Sequence, residues 1–434
     1  MFDTNQFYEQ CNSGEPVNCT EVYEYLKTFK QIILWGGSYL GAAVGRKLLA
    51  QNIKITKYWD VRSDTLGSIN GISVEPPFAS EYDRAVTLVI FCIGNHTIRT
   101  PLIRDITEHG YFYLRGDIFY SGAICQFKNG MKLTSEQCWA SMECRPLVCE
   151  RAASIVKKQN EESKPGERID FVYIAFIVNN ICNLSCKYCF QYINNYPAKL
   201  KKNVPLDILC HDVDVFMDTI DSTSSITVMG GETFLHPKLG EFIKHLCTKK
   251  NFGFISVASN GLVPITERQL EGMSDKRVAV NFGSYLHVAT EKEKEIYHKN
   301  IELVKSYGIT YTESVKLPRW TVPPTLYKLD VDEEYKISRK QSCIMPPRDL
   351  QIINGKVHVC DMSLALHNMG LQNYPSDYMD LTVPRTLEEH RTELRRLLNE
   401  PFYESCGHCN SCGKDAGEGG TQGLWNIFSP EGDS

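Results

Sequence analysis

Residues 181–190 read I-C-N-L-S-C-K-Y-C-F and place Cys182, Cys186 and Cys189 at C-x3-C-x2-C spacing. Thiolates crowded this closely repel one another unless a soft cation binds them, so the loop asks for a metal or an iron-sulfur cluster. Structural zinc takes four protein ligands as a rule. The next candidates, Cys210 and His211, lie beyond a polar stretch and the start of a predicted helix. Three ligands leave a coordination position open, and an open position signals chemistry rather than scaffolding. On the loop alone, a zinc knuckle borrowing a distant ligand and a chance grouping of cysteines are the alternatives.

Working outward, the loop follows directly on residues 171–178 (FVYIAFIV), a nearly continuous apolar run suited to a strand buried on both faces. Helix and strand then alternate. A predicted helix at 206–220 leads to a strand at 225–229 that ends in Gly230, Gly231 and Glu232. A helix at 238–249 leads to a strand at 253–258 that ends in Ser259, Asn260 and Gly261. Two further repeats pair a helix at 267–273 with a strand at 277–281, and a helix at 291–307 with a strand at 309–315. In the last helix Ile296, Ile301 and Val304 share one face. The glycine and polar motifs fall after strands, where parallel α/β barrels gather their active-site loops.

Upstream, residues 31–35 (QIILW) predict a buried strand that runs into G-G-S-Y-L-G-A-A-V-G, a strand, glycine turn, helix signature. Further strands are predicted at 53–59, ending at Asp60, and at 86–93. Together they imply a small Rossmann-like α/β unit. Gly36 and Gly41 fit the first and last glycines of the dinucleotide fingerprint, but Ser38 replaces the middle one. Asp60 is placed to bind a ribose or to cap a strand end, and glycine turns of this kind also serve tight helix packing. W-G-G-S-Y-L-G with the later D-x8-I-N-G-I-S-V-E-P resembles Rossmann-like appendages on enzymes of sugar and polysaccharide biosynthesis. A helix at 133–158, broken near Arg145-Pro146, carries Cys138, Cys144 and Cys149 in no familiar ligand pattern. Residues 160–168 (NEESKPGER) form a charged linker.

Composition narrows the class. A chain of 434 residues holds two or three domains. Net charge of −5 with interspersed signs gives no general attraction to nucleic acid or to an anionic membrane. The first ten residues lack the pattern of a signal peptide, and no apolar run approaches the ~20 residues of a membrane span. A cytoplasmic protein is expected, in which 17 cysteines bind metal more readily than they form disulfides.

The cysteine loop, M-G-G-E and S-N-G, in this order on successive strands, resemble the radical S-adenosylmethionine (radical SAM) superfamily over residues 170–320. The resemblance implies a reaction. Cys182, Cys186 and Cys189 would hold a 4Fe-4S cubane whose open iron binds the amino and carboxylate groups of S-adenosylmethionine. One electron would split that ligand to a 5′-deoxyadenosyl radical, which abstracts hydrogen from substrate. Gly230 and Gly231 would leave room for the ligand, and Glu232 would pair with its ammonium. Tyr188 would lie beside the adenine, or anchor the loop as a core tyrosine. Ser259 and Asn260 would meet the ribose or carboxylate, or form an ordinary turn.

A second set follows in the C-terminal third: Cys343, Gly355 and Cys360 as C-x11-G-x4-C, then Cys406, Cys409 and Cys412. Strands predicted at 350–353 and 356–359 flank Asn354-Gly355, a strong hairpin signal. Two cysteines bracketing a hairpin and a C-x2-C pair returned by a helix at 387–399 supply ligands for another cluster or for zinc. The arrangement resembles the SPASM and Twitch extensions of radical SAM enzymes. The full SPASM form has more cysteines, so the single-cluster Twitch form is the closer resemblance, with Cys343, Cys360, Cys406 and Cys409 as ligands and Cys412 in reserve.

The expected architecture is α/β. A Rossmann-like domain (1–130) and a helical linker (131–169) precede a partial (β/α)6 barrel (170–325). A cysteine-rich α+β auxiliary-cluster domain (326–415) and a flexible tail (416–434) follow it. The expected function is a radical SAM oxidoreductase of dehydrogenase type that oxidises a sugar, cyclitol or nucleotide-linked sugar. Its reductant would be of flavodoxin or ferredoxin type. Peptide or protein modification is the alternative within enzymes, and a non-catalytic zinc protein is the contrast outside them. Arg319 and Trp320 are the candidate substrate contacts.

Overall fold

The computed structural model describes residues 19–37, 39–93, 102–103, 105–116, 119, 168–313, 319–343, 350–410 and 415–429. Ser38, Cys138, Cys144, Cys149 and Cys412, with the helix expected at 133–158 and nearly all of the linker, lie outside these residues. The chain divides into two units, Met1–Val172 and Tyr173–Ser434.

In the first unit, α1 (Cys19–Lys27), β1 (Gln31–Trp35), α2 (Tyr39–Ala50), β2 (Lys57–Trp59), β3 (Ser68–Ile69), β4 (Ile72–Glu75), β5 (Thr87–Phe91) and β6 (Phe112–Arg115) build one sheet of order β3-β4-β2-β1-β5-β6. β1 pairs in parallel with β2 and β5, and β5 with β6. The central strands β1 and β5 are apolar after their first residues, Gln31 and Thr87, because both of their faces are covered. Ile32, Leu34, Leu88 and Ile90 enter one core, while Ile33, Trp35, Val89 and Phe91 enter the other.

The glycine turn after β1 is closed by the protein itself. Asp60 accepts from the Gly37 amide at 2.6 Å and from both Nε and Nη2 of Arg62 at 2.9 Å. Burial alone would raise the Asp60 carboxyl, yet Arg62 and the Gly37 amide hold it below its usual range. A Cβ on Gly37 would crowd the methyls of Ile69 and Leu66 at 2.7 and 2.8 Å. Asp60 therefore caps the strand end, with its carboxylate already committed to Gly37 and Arg62.

The second unit contains the barrel. β7 (Asp170–Ile177), which begins just before it, is followed by α3 (Leu206–Thr219), β8 (Ser222–Met229), α4 (Leu239–Leu246), β9 (Phe252–Ser259), α5 (Glu267–Glu271), β10 (Val278–Phe282), α6 (Glu291–Ser306) and β11 (Thr310–Glu313). Neighbouring strands from β8 to β11 are parallel, as a partial α/β barrel requires. Capping boxes at Thr266/Gln269 and Thr290/Glu293 start α5 and α6 after their loops.

The C-terminal third comprises β12 (Arg319–Thr321), α7 (Glu333–Ser342), β13 (Leu350–Ile353), β14 (Lys356–His358), α8 (Asp361–Asn368), β15 (Tyr378–Asp380), α9 (Leu387–Asn399) and β16 (Asp415–Glu418). Its hairpin does not stand in a separate domain. β13 pairs in parallel with β7, so the sheet runs β11-β10-β9-β8-β7-β13-β14-β15. Asn354 and Gly355 both take positive φ (49° and 76°), giving the tight turn that a right-twisted hairpin needs. The Gly355 amide donates to Asp212 on α3 at 3.0 Å, which fixes the hairpin to the barrel.

The tail expected to be mobile is packed over residues 415–427. β16 pairs antiparallel with β12, and Trp425 and Ile427 are buried with Tyr192, Tyr196, Leu326 and Met362. The glycines that suggested mobility serve close approach: a Cβ on Gly419 would overlap the Trp320 indole, and one on Gly420 would crowd the Tyr285 ring. Among the described residues no helix is long and apolar enough to cross a membrane.

Candidate functional site

The cysteine loop leaves the carboxyl end of β7, and its neighbour β8 is laced to it by backbone. Asn179, fully buried, accepts from the Gly231 amide at 3.0 Å and donates to the Glu232 carbonyl at 2.9 Å. The Glu232 amide donates to the Ile181 carbonyl at 2.7 Å. Gly230 and Gly231 permit this lacing. A Cβ on Gly230 would overlap the Asn179 side chain, and one on Gly231 would overlap the Ile181 carbonyl, one residue before Cys182. The glycines thus hold the loop against β8, a task distinct from the ligand clearance expected of them.

Glu232 ties the third strand to the same point. Its carboxylate accepts from Phe234 N at 3.0 Å, Ser259 Oγ at 2.8 Å and Asn260 N at 2.8 Å. Burial raises its pKa despite these donors. A carboxylate offers about four acceptor sites, which leaves one for a cationic ligand. The Ser259 and Asn260 side chains are likewise engaged: Ser259 Oγ also accepts from Gly261 N at 2.9 Å. Asn260 donates to Asn183 Oδ1 and accepts from Leu262 N, both at 2.8 Å. Ser259 thus holds the loop after β9 against Glu232, and Asn260 holds it against the cysteine loop.

The three cysteines converge, and their electrostatics states what they lack. Burial first, and then the neighbouring Glu232 and the other two sulfurs, push the Cys182 thiol up to about 12. Burial and Cys189 push Cys186 up to about 11. Burial also raises Cys189. Such thiols ionise together only around a cationic centre. Amides are already directed at the sulfurs: Leu184 N lies 3.4 Å from Cys182 Sγ, and Gln422 Nε2 lies 3.6 Å from Cys186 Sγ. The donor set fits a 4Fe-4S cubane, in which each thiolate binds a different iron. Among the described residues no three His, Cys, Asp or Glu side chains converge on the position of a single metal ion.

Aromatic residues wall the loop. Tyr188 stands edge-on to Trp425 at 5.6 Å, with Lys187 Nζ 5.1 Å from its ring centroid. Tyr285 faces the site: burial, followed by the charges of Cys186, Cys189, Cys182 and Glu232, raises its phenol. Trp320 lies against Tyr285 at 6.4 Å, and β12 is engaged by the tail strand across Arg319↔Glu418 and Trp320↔Gly417. Arg319 and Trp320, the expected substrate contacts, thus lie on the strand that carries the tail.

The second set also converges. Burial and then the Cys343 and Cys406 charges raise Cys360, while burial, Cys343 and Cys409 push Cys406 up to about 12. Cys343 ends α7, Cys360 caps α8, and Cys406 and Cys409 lie in and just after the turn Glu404–His408. Arg339 Nη2 donates to Cys409 Sγ at 3.2 Å, and Lys340, on the same helix, feels the Cys406 charge. A buried link joins the two sets: Gln191, two residues after Cys189, and Gln351 both donate to Asp361, the residue after Cys360.

Sequence reading missed Asn179, Gln191, Tyr285, Arg339 and Gln422. Asn179 carried a faint signal, a polar residue at the end of an apolar strand. Gln422 carried none, being 236 residues from the cysteine it touches.

Residues 176–322 match the radical SAM superfamily. Over 148 residues the chain is 25% identical to the antilisterial bacteriocin subtilosin biosynthesis protein AlbA of Bacillus subtilis (strain 168), covering 32% of this chain and 31% of that protein. It therefore spans under a third of that relative's length. Solved structures that match include BtrN in complex with AdoMet and 2-DOIA (17% identity, 56% of this chain and 93% of that one, TM-score 0.33). Another is anSMEcpe with bound AdoMet (19% identity, 33% and 42%, TM-score 0.25). A third is Streptococcus suis SuiB bound to S-adenosylmethionine (10% identity, 60% and 70%, TM-score 0.30). The barrel segment is a radical SAM domain, the cofactors of which are a 4Fe-4S cluster and S-adenosylmethionine.

Proposed function

We propose, from the radical SAM domain at residues 176–322, that the chain is an oxidoreductase that removes hydrogen from a carbon of an alcohol-bearing small molecule. A sugar, a cyclitol or a nucleotide-linked sugar is the substrate class. The observation that carries the reading is the convergence of Cys343, Cys360, Cys406 and Cys409 into a second cysteine set linked to the first through Gln191 and Asp361. When bound, the first cluster supplies the electron that splits S-adenosylmethionine, and the second supplies an acceptor for the electron left on the oxidised substrate.

Carboxylates act on both sets, and the second also has two cations beside it. Cys182, Cys186 and Cys189 would hold the first cluster, with the buried Glu232 carboxylate acting on Cys182 and Asp361 on Cys189. Cys343, Cys360, Cys406 and Cys409 would hold the second, beside the Arg339 guanidinium and the Lys340 ammonium. Cations stabilise added electrons, so Arg339 and Lys340 favour electron arrival at the second set, offsetting the opposing carboxylates of Asp361 beside Cys360 and Asp377 near Cys406. Glu232 retains acceptor capacity for the ammonium of S-adenosylmethionine, while Ser259 and Asn260 act by holding the loops. Tyr188 lines the loop where an adenine would lie.

The bacteriocin biosynthesis relative supports a second reading, modification of a peptide. Deuterium transfer separates the two. Perdeuterated sugars and cyclitols, free and nucleotide-linked, are offered in parallel with deuterated peptides, and 5′-deoxyadenosine is read by mass spectrometry. Label is expected from a carbinol carbon of the small molecules, with the ketone or aldehyde as product. Label from the peptides alone would replace the first reading with the second.

A further inference from the structure

We propose that residues 415–427 form a clasp over the cysteine loop and that Gln422, within it, is a positioning residue that sets the reduction potential of the first cluster. The inference rests on the reading of Cys182, Cys186 and Cys189 as cluster ligands.

The clasp touches the loop through backbone on both sides of Cys186. Gly423 N donates to the Ser185 carbonyl at 2.8 Å, and Lys187 N donates to the Thr421 carbonyl at 2.7 Å. Cys186 and Gln422 thereby form an antiparallel bridge. Asn194 Nδ2 donates to the Cys186 carbonyl at 2.8 Å and to the Gly423 carbonyl at 3.4 Å, tying the two segments from a third side. Beyond the bridge Trp425 stacks on Tyr192 at 6.1 Å and stands edge-on to Tyr188, and the Ile427 carbonyl accepts from Leu326 N at 2.6 Å. On the other side His287 meets the Gly419 carbonyl at 2.8 Å. The segment is therefore anchored at both ends with Gln422 between.

The Gln422 side chain is oriented by what it accepts. Ser185 N donates to its Oε1 at 2.6 Å, which turns Nε2 toward Cys186, where it lies 3.6 Å from Sγ. The second N–H of that amide reaches the Gly420 carbonyl at 2.5 Å. An N–H directed at a ligating thiolate stabilises the more negative, reduced state of a cluster and so raises its potential. The amides directed at Cys182 come from Leu184, within the loop, and from Asn260 at 4.0 Å, while the side-chain amide at Cys186 comes from Gln422, supplied by the far end of the chain.

The test is a redox titration of the reconstituted full chain, followed by electron paramagnetic resonance with and without S-adenosylmethionine. Gln422→Glu keeps an oxygen for Ser185 N but replaces the N–H donor with a carboxylate; Gln422→Met removes both polar atoms at similar length. Both are expected to lower the midpoint of the S-adenosylmethionine-responsive signal, Gln422→Glu the more. The expected shift is about ten-fold in the reduction equilibrium, about 59 mV for one electron. The second cluster's midpoint stays in place. Trp425→Ala, which loosens the anchor without touching the Cys186 donor, is the comparison for a purely structural role. A wild-type midpoint in both Gln422 variants at full iron content overturns the inference. So does a shift in Trp425→Ala equal to that in Gln422→Glu. A wild-type protein without a signal that responds to S-adenosylmethionine overturns the underlying reading of the cysteines instead.

Discussion

Gly231→Ala is expected to lower 5′-deoxyadenosine formation by about 100-fold, the effect of a displacement near 1 Å at a reacting centre. The new Cβ would overlap the Ile181 carbonyl, which accepts the Glu232 amide and directly precedes Cys182. Either the carbonyl moves and carries Cys182 with it, or the end of β8 moves and carries Glu232. Both shift a group proposed to meet the cofactors. The stability loss is roughly 1–3 kcal/mol, the usual range for overpacking. Turnover and melting temperature should therefore separate, with activity falling far more than the folded fraction. Formation of 5′-deoxyadenosine within about 3-fold of wild type would mean that the loop tolerates the shift, and that the glycines matter less than the lacing suggests.

Cys360→Ser is expected to give the second large effect, a loss of product with survival of S-adenosylmethionine cleavage. Serine keeps an oxygen to cap α8, where Cys360 Sγ now accepts from Ser363 N at 3.5 Å, so the helix start is preserved. Iron should fall from about eight to about four per chain, as one set of cysteine ligands is broken. Oxidised product should fall about 1,000-fold, roughly 4 kcal/mol of barrier, while cleavage without substrate continues. Unchanged iron with unchanged product would remove the second set from the reaction. Iron replaced by one zinc per chain in the wild type would make that set a structural site.

These expectations draw on different depths of the sequence. The repeat of strand and helix from β7 to β11 was legible because each apolar run is bounded by glycine or polar residues, and the structure places those elements within a few residues of the reading. The hairpin at Asn354-Gly355 was legible for the same local reason. Its partner was not, since pairing of β13 with β7 depends on contacts such as Leu350↔Ile174 that no local pattern encodes. The cysteine spacing named the candidate ligands, and Gly230, Gly231, Ser259 and Asn260 were read as ligand clearance and ligand contact without the structural work they also do. In the structure their first partners are Asn179, Ile181, Glu232 and Asn183. The tail misled through composition: glycine suggests freedom when the chain is read alone, and close packing when Trp320 and Tyr285 stand opposite.

Anaerobic iron-sulfur reconstitution followed by dithionite and S-adenosylmethionine, with iron and 5′-deoxyadenosine measured together, bears most directly on the central claim. The account requires about eight irons per chain and formation of 5′-deoxyadenosine that disappears in Cys186→Ala. A protein that takes up zinc alone, or one that binds iron and releases no 5′-deoxyadenosine, would contradict it.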